Sequence, residues 1–462
     1  MHILFTMSGW TDEGGGTMLP RQIARGLVRK GHRVSVVHIE DQAKPQGPPY
    51  QIVRNREAGV ELFGIHNSQG FQYSLEHPEG DLDDPSVRQI MSGLLTALKP
   101  DVVHFHTLAN LSLGAIEEAK RLGIPSTYTS HNYWPLCPRM YLFRKDLTLC
   151  SGPSNDGGKC AECLGLHDRK PVFASRIQRA RQIFNSSLDS HLAVSERARQ
   201  IFVQNGFAPE RIAVLYPQSE TIDAIWQSLG SVRKPKASFE APLKVGYFGN
   251  LLAWKGVHVL VKALQAFQPG EVEGHVFGSG PDSYENVLRQ LDEKRLMRFH
   301  GRYRPLDLCR LPSLVDVAVV PSVCEETGGL VVLEALAARI PVVGSRIGAI
   351  PEFIAEGVNG FLFEAGESGD LAKVLQKVIS ELSLQEIQNN ISQPRGFGSY
   401  LNDLLSHYGR ISGRHHSGLR IAQIGKSAQA KGLQDLFPNL AGKTPHVSEL
   451  PEVCTRRAET EP

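Results

Sequence analysis

A chain of 462 residues, 41% hydrophobic and 21% charged, is long enough for two globular domains and a tail, and it is neither a repeat nor a fibre. Its formal net charge of +2 excludes a protein built chiefly to neutralise nucleic-acid phosphates, since such domains carry a large basic excess. No nucleic-acid partner is expected. About 18 apolar residues never run together, and MHILFTMSGW leads into strand-like sequence rather than a basic stretch with a cleavable apolar one, so a cytoplasmic protein is expected. Four of the seven cysteines cluster, which in that compartment suits thiols or metal ligands better than disulfides.

HILFT (His2 to Thr6) reads as a strand, GGGTMLPRQIARGLVRKG (Gly14 to Gly31) as a glycine loop entering a helix, and HRVSVVHIE (His32 to Glu40) as the next strand. Three consecutive glycines, including Gly15 and Gly16, permit close backbone approach to a ligand at the helix N-terminus; a plain flexible turn is the other reading. PDVVHFHT (Pro100 to Thr107) is a buried strand whose His104 and His106 read as strand-end or acceptor-side residues. After the helix LGAIEEAKRLG comes IPSTYTSHNYWPLCPR, with His131 just past a strand, where ligands gather in open α/β sheets.

An insertion follows, holding Cys137, Cys150, Cys160 and Cys163. One CxxC with two more thiols nearby is able to supply four thiolates to a structural zinc, and free thiols in a glycine-rich loop are the alternative. RKPVFASRIQRARQIF (Arg169 to Phe184) is basic and partly amphipathic. It suits either peripheral contact with an anionic membrane or a solvated helix face. HLAVSERARQIFVQNGFAPERIAVLYP (His191 to Pro217) gives strand, helix and strand, with Ser195 as helix cap and Gly206 as stop. Polar SVRKPKASFEAP (Ser231 to Pro242) reads as a linker.

LKVGYFGNLLAWKGVHVLVKAL restarts a strand–loop–helix unit, with Gly249 at the turn and Lys255-Gly256 where the helix begins. An ammonium there suits a diphosphate. EGHVFGSGPDSYENVLRQL repeats the unit around Gly278, Ser279 and Gly280, and MRFHGRYR adds a short strand followed by Arg302. DVAVVPS (Asp316 to Ser322) is a buried parallel strand. ETGGLVVLEALAARIPVVGS then places Glu326 in a loop, Gly328 and Gly329 at a junction, and Glu334 inside the helix that starts near Leu330. The glycines leave free N–H groups at an end that attracts phosphate, so two carboxylates flank an anion site. Asp370 reads as a helix cap, SYLNDLLSHYGRI (Ser399 to Ile411) as an amphipathic terminal helix, and residues 412–462 as a disordered tail.

The Glu-x7-Glu stretch resembles that of the retaining glycosyltransferases of family 4, and the likeness extends over roughly residues 1 to 410. It implies an α/β protein of GT-B fold: two Rossmann-like, doubly wound domains facing across a cleft. These would be an acceptor domain over 1–230 with the cysteine insertion 137–163, a linker over 231–242, a nucleotide-sugar domain over 243–398, and a terminal helix over 399–411 that crosses back. The resemblance gives Glu326 the donor-sugar hydroxyls, Glu334 the ribose, and the amides of Gly328, Gly329 and Leu330 the phosphates. His131 would contact the donor sugar, Lys255 the leaving diphosphate, Gly15 and Gly16 its far side, and Gly278 the base and ribose, with Arg302 nearby. Asn250 stands where the family usually has an arginine, and Ala349 where it often has a second glycine. Some bacterial members look similar at the CxxC, which implies a structural role for the cysteines.

The implied reaction is transfer of a hexosyl or related group from a UDP- or GDP-linked donor to a hydroxyl of a glycan or lipid-linked acceptor, with retention and with no cofactor for the chemistry. Two rivals stand beside it. One makes Glu326 and Glu334 the acid and nucleophile of a glycoside hydrolase; the other is a catalytically degenerate scaffold of the same fold, to which Asn250 and Ala349 would belong.

Overall fold

Strands covered by helices on both faces must be apolar along their whole length, and the chain's short Val-, Ile- and Phe-rich runs fold as such strands. The computed structural model describes residues 1–11, 15–40, 50–66, 82–229, 242–304, 307, 314–381 and 384–413. Gly14, all of the expected linker but Pro242, and all of the expected tail but Ser412 and Gly413 lie outside the described residues. Among the described residues the chain forms two compact units: residues 1–217 with 325–328 and 398–413, and residues 218–324 with 329–397.

The first unit holds β1 (His2–Met7), β2 (Arg33–Ile39), β3 (Gln51–Glu57), β4 (Val60–His66), β5 (Val102–Phe105), β6 (Ser126–Ser130), β7 (Ser190–Ala193) and β8 (Ile212–Val214). They form one eight-stranded sheet in the order β3-β4-β2-β1-β5-β6-β7-β8. All neighbours are parallel except β3, which pairs antiparallel with β4 and is almost entirely exposed. Leu4, Val37, Phe63, Val103, Tyr128, Trp134, Phe184 and Phe202 belong to its core. The helix Phe397–Ile411 lends this unit Tyr408, which is fully buried, and His407, which meets Thr127 Oγ1 at 3.2 Å.

The second unit holds β9 (Leu243–Phe248), β10 (Val272–Phe277), β11 (Met297–Gly301), β12 (Val317–Val320), β13 (Val342–Ser345) and β14 (Gly360–Phe363), all parallel, in the order β11-β10-β9-β12-β13-β14. Val245, Leu260, Val276, Val319, Val343 and Leu375 belong to its core. Among the parallel strands of each sheet the order reverses once, at β1/β5 and at β9/β12. Loops diverge to opposite faces at such a point and leave a crevice at the carboxyl ends of the strands.

Several local expectations hold: Ser195 caps the helix Glu196–Gln204, accepting from Ala198 N, and Gly206 follows its end at φ 86°. Asp370 is a correction. It sits inside the first turn of Ser368–Glu381 and accepts from the Glu364 amide instead of capping the helix.

Candidate functional site

At the reversal in the second sheet three loops meet backbone to backbone. Gly249 N donates to Phe277 O at 3.0 Å, Leu251 N to Ser279 O at 3.0 Å, Gly278 N to Gly301 O at 2.7 Å and Val323 N to Trp254 O at 2.9 Å. The packing requires glycine at two of these positions. A Cβ at Gly278 would lie 1.8 Å from Gly249 O and one at Gly256 1.8 Å from Pro321 O, and both residues have positive φ. Lys255 ends a short 3₁₀ turn, Ala253–Lys255, directly before the helix Val257–Leu264. Asn250 is exposed. Arg302 reaches this end of the sheet and donates to Ser279 Oγ at 3.0 Å.

The helix Leu330–Ala337 begins at Gly329, whose φ of 54° suits glycine, and no side chain caps it. Its first N–H groups are therefore presented to whatever occupies that end. Glu334 lies on this helix, 4% exposed, and burial raises its carboxyl to about 8, so it is a neutral acid at pH 7. Burial first, and Glu334 second, push the Tyr303 phenol up.

In the first unit the segment Glu325–Gly328 is anchored on both sides of Glu326. Arg197 grips Glu325 with two guanidinium nitrogens, one at 3.0 Å. Ser195 Oγ donates to Thr327 O at 2.6 Å, and Thr327 Oγ1 donates to the backbone carbonyl of His131 at 2.8 Å. Glu326 is thus held between fixed neighbours and beside the loop that carries His131.

His131 follows β6 and His106 follows β5, and the two rings are stacked with His106 Nδ1 3.0 Å from His131 Nε2. Burial lowers His131 to about 4. Burial, then the neighbouring histidines, holds His106 and His104 well below the ordinary imidazole value. The His104 ring is fixed by Tyr408 Oη at 2.6 Å and Thr129 Oγ1 at 2.7 Å. The anchors of Glu326 and the His106 contact escape a reading of motifs, because each joins residues distant in sequence. The pair of histidines closing PDVVHFHT was the one available signal. At Gly16, in the first turn of Gly15–Arg29, a Cβ would meet nothing within 4 Å, so no protein contact demands glycine there.

Cys137, Cys150, Cys160 and Cys163 are free thiols, Cys137 being buried. Burial first, and then the other three sulfurs among the nearby charges, pushes the Cys160 thiol up to about 12. Among the described residues no three His, Cys, Asp or Glu side chains form a group able to hold a metal ion as they stand. The basic segment forms the helix Lys170–Ser186, and much of its charge is used internally. Arg176 donates to Trp134 O at 2.6 Å, Arg179 to Glu117 at 2.5 Å and Arg181 to Asn205 O at 2.6 Å, while Lys170 pairs with Asp156 at 2.7 Å. No helix among the described residues is long and apolar enough to cross a membrane.

Two family models match: one described as glycosyl transferases group 1 over residues 242–381, and one described as glycosyltransferase family 4 over residues 13–217. A D-inositol 3-phosphate glycosyltransferase of Corynebacterium aurimucosum is 26% identical over 229 residues, 47% of this chain and 54% of that protein, so the chain spans about half of that relative's length. An uncharacterised glycosyltransferase of Methanocaldococcus jannaschii is 25% identical over 398 residues, 82% of this chain and 88% of its own. Among solved structures, Anabaena HepE in complex with UDP superposes with a TM-score of 0.59 at 21% identity, covering 90% of this chain and 98% of that one. HepE has also been solved with UDP-glucose. The likeness in structure carries the fold: two Rossmann-like α/β units of the GT-B class.

Proposed function

The chain belongs to the group 1, family 4 glycosyltransferases, and from that premise we propose that it moves a sugar from a UDP- or GDP-linked donor to an acceptor hydroxyl with retention at the anomeric carbon. The observation that carries this reading is the anchored Glu326 loop leading into the uncapped helix Leu330–Ala337, with Glu334 one turn inside it. In it Glu326 takes donor-sugar hydroxyls, Glu334 the ribose, and the amides of Gly328, Gly329 and Leu330 the diphosphate. Lys255 stabilises the leaving phosphate, His131 contacts the sugar, Gly278 and Asn250 line the nucleotide loops, and Gly15 and Gly16 approach the diphosphate. Preorganised donors of this kind lower the barrier by several kcal/mol, roughly 3 for a single one. No step is routed through a metal or an organic cofactor. HepE's complexes with UDP and UDP-glucose support the donor class, and a lipopolysaccharide outer core galactosyltransferase among the structural neighbours supports a glycan or lipid-linked acceptor for surface polysaccharide or glycolipid synthesis.

In this reading residues 1–230 serve the acceptor and 243–398 the nucleotide. The test is incubation of the full chain with a panel of UDP- and GDP-sugars, following release of the nucleoside diphosphate. Release that depends on Glu326 supports transfer; nucleotide binding without release for any donor returns the scaffold reading. A structural zinc on Cys137, Cys150, Cys160 and Cys163 is a subsidiary part of the proposal, supported by the CxxC spacing. It requires the thiols to draw closer than they stand. One zinc per purified chain is expected, and metal-free folded protein removes this part.

A further inference from the structure

His131 and His106 share one proton along a 3.0 Å contact, and which ring owns it decides what His131 offers a ligand. If His131 Nε2 carried it, His106 Nδ1 would accept, and a neutral His106 would then hold its own proton on Nε2. That nitrogen is buried and has no hydrogen-bond partner among the described residues. It sits in a ring packed against His104, with centroids 3.9 Å apart, and against the edge of Phe5 at 4.7 Å. A buried N–H with no acceptor is the costlier and rarer way to leave a polar atom unpaired. The proton therefore rests on His106 Nδ1 and is donated to His131 Nε2. A neutral His131 is left with its proton on Nδ1, and the half-buried side chain has no protein partner for that nitrogen among the described residues.

We propose that His106 is a positioning residue that fixes the tautomer of His131, so that His131 presents an Nδ1–H to the donor sugar as a hydrogen-bond donor and not as a base. The ligand in this statement rests on the transferase reading above. The tautomer does not. Low basicity of both rings agrees with it, since neither takes up a second proton near neutral pH.

The experiment uses the full chain labelled with ¹⁵N-histidine, with two-bond nitrogen–carbon-proton correlations assigned through His131→Gln. Expected for His131 is a bare Nε2 and a protonated Nδ1; a protonated Nε2 overturns the inference whatever the activity. His106→Leu should leave His131 as a mixture of tautomers and lower sugar transfer about ten- to a hundredfold, with nucleotide affinity within about twofold of wild type. His106→Asn, whose amide N–H stands where Nδ1–H stood, should recover most of that rate. Equal rates for Leu and Asn would overturn the positioning role, and if the Leu variant does not fold the wild-type spectrum still decides the tautomer. Turnover by wild type with the wrong tautomer sinks only this inference. Absence of turnover with every donor sinks the transferase reading and the ligand role together, leaving the tautomer to the spectrum.

Discussion

Glu334 is a carboxyl that burial keeps protonated to about pH 8, although an unfolded chain would lose that proton near 4.5. Between those values this carboxyl keeps in the folded state a proton that it has lost in the unfolded state, so its own contribution to stability falls as pH rises, by about 1.4 kcal/mol per pH unit. Unfolded histidines, with an ordinary value near 6.5, are largely neutral only above about pH 7.5, so the acid is isolated by comparing wild type with Glu334→Gln at each pH. Glu334→Gln should therefore gain on wild type as pH rises from 6.5 to 8 and melt higher than it at pH 8; parallel curves for the two proteins would contradict the buried-acid account. The position of Glu334 was legible from its spacing to Glu326. Its protonation was not, because burial comes from packing around the helix, whose residues 332–337 are all buried.

At the scale of elements, the loop bearing Glu326 owes its placement to neighbours rather than to itself. Arg197→Ala and Thr327→Val each remove one anchor and leave Glu326 in place chemically. Each should lower the rate of nucleoside diphosphate release tenfold or more with the melting temperature nearly unchanged, and release within twofold of wild type would show the anchors idle. Glycine positions divide the same way. Gly256→Ala drives a methyl into Pro321 O at a φ of 71° and should destabilise by more than about 2 kcal/mol. Gly16→Ala meets nothing within 4 Å, so it should leave the melting temperature within a degree or two and change donor affinity instead. Strand and helix periodicity made most of these elements legible. The hairpin β3–β4 was not: its turn is Ala58-Gly59, both at positive φ, and alanine does not signal a turn that asparagine or aspartate would.

For the whole molecule, pH has a second effect. Burial lowers His131 to about 4 and His191 and His407 to about 3, and holds His104 and His106 well below the usual value. Below pH 6.5 the unfolded chain takes up protons that the folded chain refuses, so stability falls as pH falls from 6.5 toward 4. His191 lies among Tyr128, Phe184, Phe202 and Phe207, with both ring nitrogens unpartnered among the described residues. His191→Leu should lose less stability between pH 6.5 and 4.5 than wild type; an equal loss would mean that ring is solvated. Two α/β units were legible because each parallel strand announces itself as a short apolar run. The use of the basic helix was not, since partners such as Glu117, Asn205 O and Trp134 O are visible only once the chain has folded. The central claim is sugar transfer with retention, and the anomeric configuration of the product, read by proton NMR from a UDP- or GDP-sugar of known α configuration, tests it most directly. Wild type should give an α-linked product and Glu326→Gln a rate at least about a hundredfold lower. A β-linked product, or the same rate without the Glu326 carboxylate, would contradict the account.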